Sequence, residues 1–133
     1  MALYPDTATV CKVMSELFKR SMADPQTMSE LRRSNLVLRL EISDPPAQFT
    51  VDARSQPPHF TCGVDAGRPD LVLHVRMDVL HQIWMGEIRL QDAFFSGQCR
   101  LDGSMLRALS LGGLFRGVEA LYPGVLREFK LAP

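Results

Sequence analysis

Between Leu71 and Trp84 the chain reads LVLHVRMDVLHQIW, and its apolar period changes partway through. Leu71, Leu73 and Val75 alternate with Val72, His74 and Arg76, the two-residue repeat of a half-buried strand. From Val79 the spacing turns helical: Val79, Leu80, Ile83 and Trp84 share one side of two turns that Gly86 ends. Strand and helix patterns thus sit side by side, and the fold class is read as α+β.

Downstream, Met85–Gly103 reads MGEIRLQDAFFSGQCRLDG. Its first half predicts a short helix closed by Gly97, and its second a strand with Cys99 and Leu101 turned inward. The rest of the chain keeps helical spacing but is interrupted by Gly112, Gly113, Gly117 and Gly124. Each interior glycine costs a helix about 1 kcal/mol relative to alanine, so two or three short pieces are expected there.

Upstream, Val10, Val13, Met14, Leu17, Phe18 and Met22 repeat at three and four, predicting an amphipathic helix capped near Asp6 or Thr7. A second helix starts at the N-cap Asp24 with Pro25 in its first turn, buries Met28 and Leu31, and ends at Asn35. Period two then returns three times, through Leu36, Leu38, Leu40 and Ile42, then Phe49, Val51 and Ala53, then Phe60, Cys62 and Val64. Three strands in succession read as an antiparallel meander.

A length of 133 residues fits one domain, residues 1–133, able to bury about two-thirds of its unfolded surface. Fifteen basic residues balance fifteen acidic ones, so no global field draws nucleic acid, and none is expected as a partner. Cys11, Cys62 and Cys99 are odd in number and lack metal or redox spacing; they are read as small buried hydrophobes. No apolar secretory segment is visible near the start, which makes the cytoplasm the expected location, and apolar runs fall far short of the roughly 20 residues that span a bilayer.

The search for catalytic chemistry returns little. His59, His74 and His81 have no metal-ligand spacing, Ser110–Gly113 lacks the glycine that a nucleophile elbow carries before its serine, and no phosphate loop is present. No catalytic residue, metal or cofactor is therefore assigned. What stands out is apolar surface beyond a tidy core, rich in phenylalanine and in the seven methionines, whose flexible side chains suit variable apolar shapes.

The stretch Pro69–Phe115, with Pro69, Asp70, Gly86, Ala93, Phe94, Gly97, Gly103 and Leu109 as its punctuation, resembles the core of the sterol carrier protein 2 family of lipid-binding domains. In order of elements the resemblance reaches back to about residue 10. It implies a five-stranded mixed, mostly antiparallel sheet covered on one face by short helices, with an apolar tunnel between them. The tunnel would take a sterol, fatty acyl chain or isoprenoid. The chain ends Leu-Ala-Pro where some relatives carry a Ser-Lys-Leu type tripeptide, so no peroxisomal address is expected.

The lipid-binding residues expected from this reading are Leu71, Leu73, Val75, Leu80, Ile83, Trp84, Phe94, Phe95, Leu106, Leu109 and Phe115, with Arg76, Arg107 or Arg116 at the rim for a headgroup. At about 0.8 kcal/mol per buried methylene, apolar contact alone could hold an acyl chain. The partner is thus an apolar lipid, with transient membrane contact and either a monomer or a homodimer left open. Two rivals stand beside this reading. One is a protein-interaction or dimerisation module anchored by an exposed Trp84 or Phe115, acting as an accessory in a lipid-related pathway. The other is a small enzyme using His74 or His81 as general base.

Overall fold

The computed structural model describes residues 3–65 and 67–131. Helix α1 (Thr7–Ala23) starts where the Asp6 carboxylate accepts from the Thr9 amide at 2.8 Å. Helix α2 (Pro25–Ser34) repeats that device, Asp24 capping Thr27 at 2.9 Å, and ends at Asn35 in the left-handed conformation. Such caps satisfy the orphan amides of a first turn, and asparagine tolerates the left-handed geometry that stops a helix.

Strands β1 (Val37–Ser43), β2 (Ala47–Asp52) and β3 (His59–Cys62) form the expected antiparallel meander. Strand β4 (Leu71–Arg76) then crosses over to lie parallel to β1, and β5 (Cys99–Asp102) pairs antiparallel with β4. The order is β3-β2-β1-β4-β5, a five-stranded mixed sheet with one parallel pair. Asp70 pins the crossover: its amide donates to the Val37 carbonyl at 2.8 Å, its Oδ2 accepts from the Val37 amide at 2.8 Å, and its Oδ1 pairs with Arg54 at 2.7 Å.

Alternation sorts the sheet's two faces. Leu38, Leu40, Ile42, Phe49, Leu71, Leu73, Val75 and Cys99 are buried on one, while Arg39, Glu41, His74 and Arg100 occupy the other, with Arg39 donating to the Asp65 and Gly67 carbonyls. Helices pack only where apolar area is available to bury, which is the first of these faces. Helix α3 (Met77–Trp84) follows β4 without a break, α4 (Leu90–Phe95) leads into β5, and α5 (Met105–Leu109) and α6 (Gly112–Glu128) close the layer. Gly86 and Gly97 take positive φ, 77° and 80°, at the ends of α3 and α4, where a side chain would be strained.

Four expectations are corrected. The C-terminal segment has two helices, but the second runs 17 residues through Gly113, Gly117, Pro123 and Gly124 instead of breaking at each. Buried Val118, Tyr122, Val125 and Leu126 hold it against its neighbours, and packing outweighs local propensity. Cys11 and Cys62 are not free buried hydrophobes: they are half-buried and joined in a disulfide, Cα to Cα 6.0 Å, which the meander makes by bringing β3 under α1. Cys99 alone is a free buried thiol, which burial pushes up to about 11. Val64 lies beyond the end of β3 and is 91% exposed.

The fourth correction concerns α5. This helix buries Ala108 and turns Leu106 (81% exposed), Met105 and Leu109 outward, so its leucines do not join the layer below. A five-residue helix can bury only one narrow stripe.

Candidate functional site

An apolar cavity of about 70 Å³ lies between the apolar sheet face and the helices. Helix α1 supplies Met14, Leu17 and Phe18, α2 supplies Leu31, Leu36 stands just before β1, and the sheet supplies Leu38 and Leu40 with Phe49, Val51 and Phe60. Trp84 of α3 and Leu111, Leu114, Phe115 and Val118 around α6 complete the wall. A water needs about 10–15 Å³ of such space, so the cavity takes a short run of methylenes with its walls at rest.

The wall carries almost no polarity. Among the described residues no charged side chain lines it. The Ser21 hydroxyl donates to the Leu17 carbonyl at 2.8 Å and that of Ser34 to the Leu31 carbonyl at 2.6 Å, so both hydrogens are already used within their helices. Trp84 differs. It is 5% exposed, its ring sits 5.9 Å from Phe115 and 5.6 Å from Tyr122, and its Nε1 is buried with no acceptor among the described residues.

Phe115 faces two spaces. It lines the cavity and also a cleft of about 490 Å³, lined by Ile83, Ile88, Leu90 and Leu109 together with the charged Arg89, Arg116 and Glu119. The ring is 6% exposed, and it is the residue these two spaces share.

The sequence-expected lining residues separate into three groups. Trp84 and Phe115 border the cavity, and Ile83, Leu109 and Phe115 border the cleft. Leu71, Leu73, Val75, Leu80 and Phe94 are buried in the core and border neither space. Phe95 (76% exposed) and Leu106 stand on the surface. Trp84 and Phe115 are buried, which removes them as exposed anchors for a protein partner. Of the three arginines, Arg116 lines the cleft, Arg107 is exposed on α5, and Arg76 pairs with Asp78 at 3.1 Å elsewhere. The cavity residues from α1 to β3 were legible only as core, because periodicity marks a buried face and is silent on where that face is incompletely filled.

Each histidine considered as a base has one polar side-chain partner. His74 lies on the polar sheet face, its Nε2 2.8 Å from Asp102. His81 Nδ1 is 2.8 Å from the Tyr122 hydroxyl, which is itself 2.5 Å from that of Tyr4. Burial lowers the pKa of His81, pushes Tyr4 up to about 12 and raises Tyr122. Burial thus favours the neutral form of all three groups in this chain. Among the described residues no cluster of His, Cys, Asp and Glu could hold a metal ion, and no helix is long and apolar enough to cross a membrane.

Comparison with known proteins follows the same lines. Residues 14–116 match the family model of the SCP-2 sterol transfer family. Among solved structures, the sterol carrier protein domain 2 of Helicoverpa armigera superposes with a TM-score of 0.67 at 18% identity, covering 82% of this chain and 87% of that one. The UbiJ-SCP2 ubiquinone synthesis protein gives 0.61 at 19% identity, covering 83% and 90%, and palmitated SCP2L2 from Aedes aegypti gives 0.57 at 22%, covering 77% and 90%. No curated protein sequence matches the chain. With the family model spanning Met14 to Arg116 and the five-stranded sheet arranged as described, this chain belongs to the SCP-2 sterol transfer family.

Proposed function

We propose that this protein is a non-enzymatic carrier that holds an apolar lipid of the sterol, fatty acyl or isoprenoid class without a covalent bond. The family is generally one of lipid binding and transfer. The observation that carries the reading is the shared wall at Phe115. An apolar cavity too small for a whole lipid adjoins a much larger cleft, with one aromatic ring between them. Rotation of that ring would join the two spaces. The lipid tail would lie along Trp84 and the β1 leucines, with any headgroup at the cleft edge near Arg116. Leu71, Leu73, Val75, Leu80 and Phe94 would back this space from the core and widen it as the layers part, and Leu109 would border its entrance.

Burying a methylene stabilises a complex by about 0.8 kcal/mol, so a bound chain can offset the cost of parting the walls. Mass spectrometry of gently purified protein, under conditions that preserve complexes, should show a lipid bound one to one. Protein that is free of lipid and also takes up no fluorescent acyl probe would refute the carrier reading.

A second reading rests on the outward side of α5. Leu106, Met105 and Leu109, with Phe95 exposed on α4, offer apolar contact to another protein, a second copy or a membrane surface. Light scattering tests it. A dimer that persists when lipid is added and dissolves in Leu106→Ser favours a protein contact, and a monomer at all concentrations opposes it.

A further inference from the structure

We infer that the Cys11–Cys62 pair determines the length of lipid chain that the cavity accepts: as a disulfide it restricts the cavity to a short chain, and as a dithiol it lets the wall part for a long one. The inference rests on the carrier reading and narrows it to ligand length. Two contacts tie helix α1 to strand β3. One is the disulfide, and the other is Phe18 stacked on Phe60 with ring centroids 5.3 Å apart. Cys11 and Phe18 are seven residues apart, two turns or about 10 Å along one face of α1. Cys62 and Phe60 are two apart, on the face of β3 whose neighbours in β2 are Phe49 and Val51. Phe18, Phe49, Val51 and Phe60 line the cavity, and the cysteines, outside its lining, close the same seam.

This seam is the yielding side of the wall. Strand β3 has four residues, lies at the edge of the sheet and pairs with β2 alone, whereas β1 is paired on both sides. Phe18, Val51 and Phe60 are partly exposed, while Leu38, Leu40, Leu111 and Phe115 elsewhere around the cavity are buried. Segments with fewer partners and more exposure open at lower cost, so a chain longer than the resting cavity would displace α1 from β3 first. A covalent link between those two elements, Cα to Cα 6.0 Å, opposes that displacement. The headgroup end of the lipid, in the cleft beside Arg116, is unaffected by the link.

Both cysteines are half-buried, and Cys11 borders a surface depression with Lys12 and Lys19, where a dithiol reductant can approach. One reductant thiolate bonds to one cysteine sulfur, and the other sulfur leaves as a thiolate and takes up a proton. The second thiol of the reductant then displaces the first cysteine in the same way. Two electrons and two protons pass to Cys11 and Cys62, and the reductant becomes a cyclic disulfide.

The test lets hexadecanoate and octanoate compete for bound N-phenylnaphthylamine on oxidised protein and on protein reduced with dithiothreitol, with circular dichroism following the fold. Reduction should raise the ratio of hexadecanoate to octanoate affinity about tenfold and change octanoate binding little. The double variant Cys11→Ser, Cys62→Ser should show the higher ratio with or without reductant, and Cys99→Ser should respond to reductant as the wild type does. The wild-type comparison stands whether or not the double variant folds. A ratio that is unchanged or lower on reduction, or one that rises only because octanoate binding is lost, overturns the inference and leaves the carrier reading intact. Failure of both acids to displace the fluorophore from either form overturns the carrier reading, and this inference with it.

Discussion

A Cβ placed on Gly117 would lie 2.5 Å from Oγ1 of Thr27, so α2 and α6 approach more closely there than any other residue type allows. Thr27 cannot give way easily. It is 1% exposed and its hydroxyl donates to the capping carboxylate of Asp24 at 2.5 Å. Gly117→Ala should therefore destabilise the protein by about 1–3 kcal/mol, although alanine in an exposed helix would gain about 1 kcal/mol over glycine. Urea unfolding measures the sign, and a stabilised variant would contradict this account of the helix contact.

The two tyrosines of the chain, Tyr4 and Tyr122, are both buried and hydrogen-bonded to each other. Burial holds Tyr4 at about 12 and raises Tyr122. Because the folded values exceed the unfolded value near 10, the folded state keeps protons that the unfolded state releases. Stability should be full below pH 10 and decline as pH rises above it. Tyrosinate absorbance should appear above the ordinary range or together with alkaline unfolding. A titration near pH 10 in folded protein would contradict the burial of both hydroxyls.

His81 works in the opposite direction. Burial lowers its pKa against the weaker raising influence of Glu87. Its neutral form is favoured by folding, so its contribution is complete above the unfolded value near 6.5 and is lost as pH falls toward the folded pKa. Protonation would also make Nδ1 a donor only, so the Tyr122 hydroxyl would have to accept from it. His81→Gln should flatten the acid side of the stability profile. Tyr122→Phe should cost about 1–3 kcal/mol by stranding the Tyr4 hydroxyl.

The Cys11–Cys62 link closes a separation of 51 residues. By chain entropy such a closure is worth about 4 kcal/mol, so the oxidised protein should resist urea measurably better than the reduced one or Cys11→Ala. Without reductant, denatured protein should offer one thiol to alkylation, that of Cys99. Disulfides are rare in reducing compartments, so the form isolated from cells reports where the chain works, and a dithiol is what the cytoplasmic expectation demands.

Val118 projects into the cavity wall, and Val118→Phe would occupy much of the 70 Å³. Uptake of an acyl probe should fall at least about tenfold, with folding changed by about 1–3 kcal/mol of overpacking. Unaltered uptake would place the lipid elsewhere in the molecule.

Sequence periodicity by itself determined the inward faces of β1 and β4, both N-terminal helices with the Asp24 cap and a first cap at Asp6 or Thr7, and the glycine stops at Gly86 and Gly97, because each depends on groups within a few residues. The resemblance around Pro69–Phe115 supplied the family. Only the tertiary structure decided the pairing of Cys11 with Cys62, the continuity of α6 through Gly117, the outward side of α5 at Leu106, and the cavity's position over β1 rather than β4. Those outcomes depend on which surfaces meet across the fold. A local repeat distinguishes buried from exposed positions, but the space left between packed layers exists only once distant segments have come together.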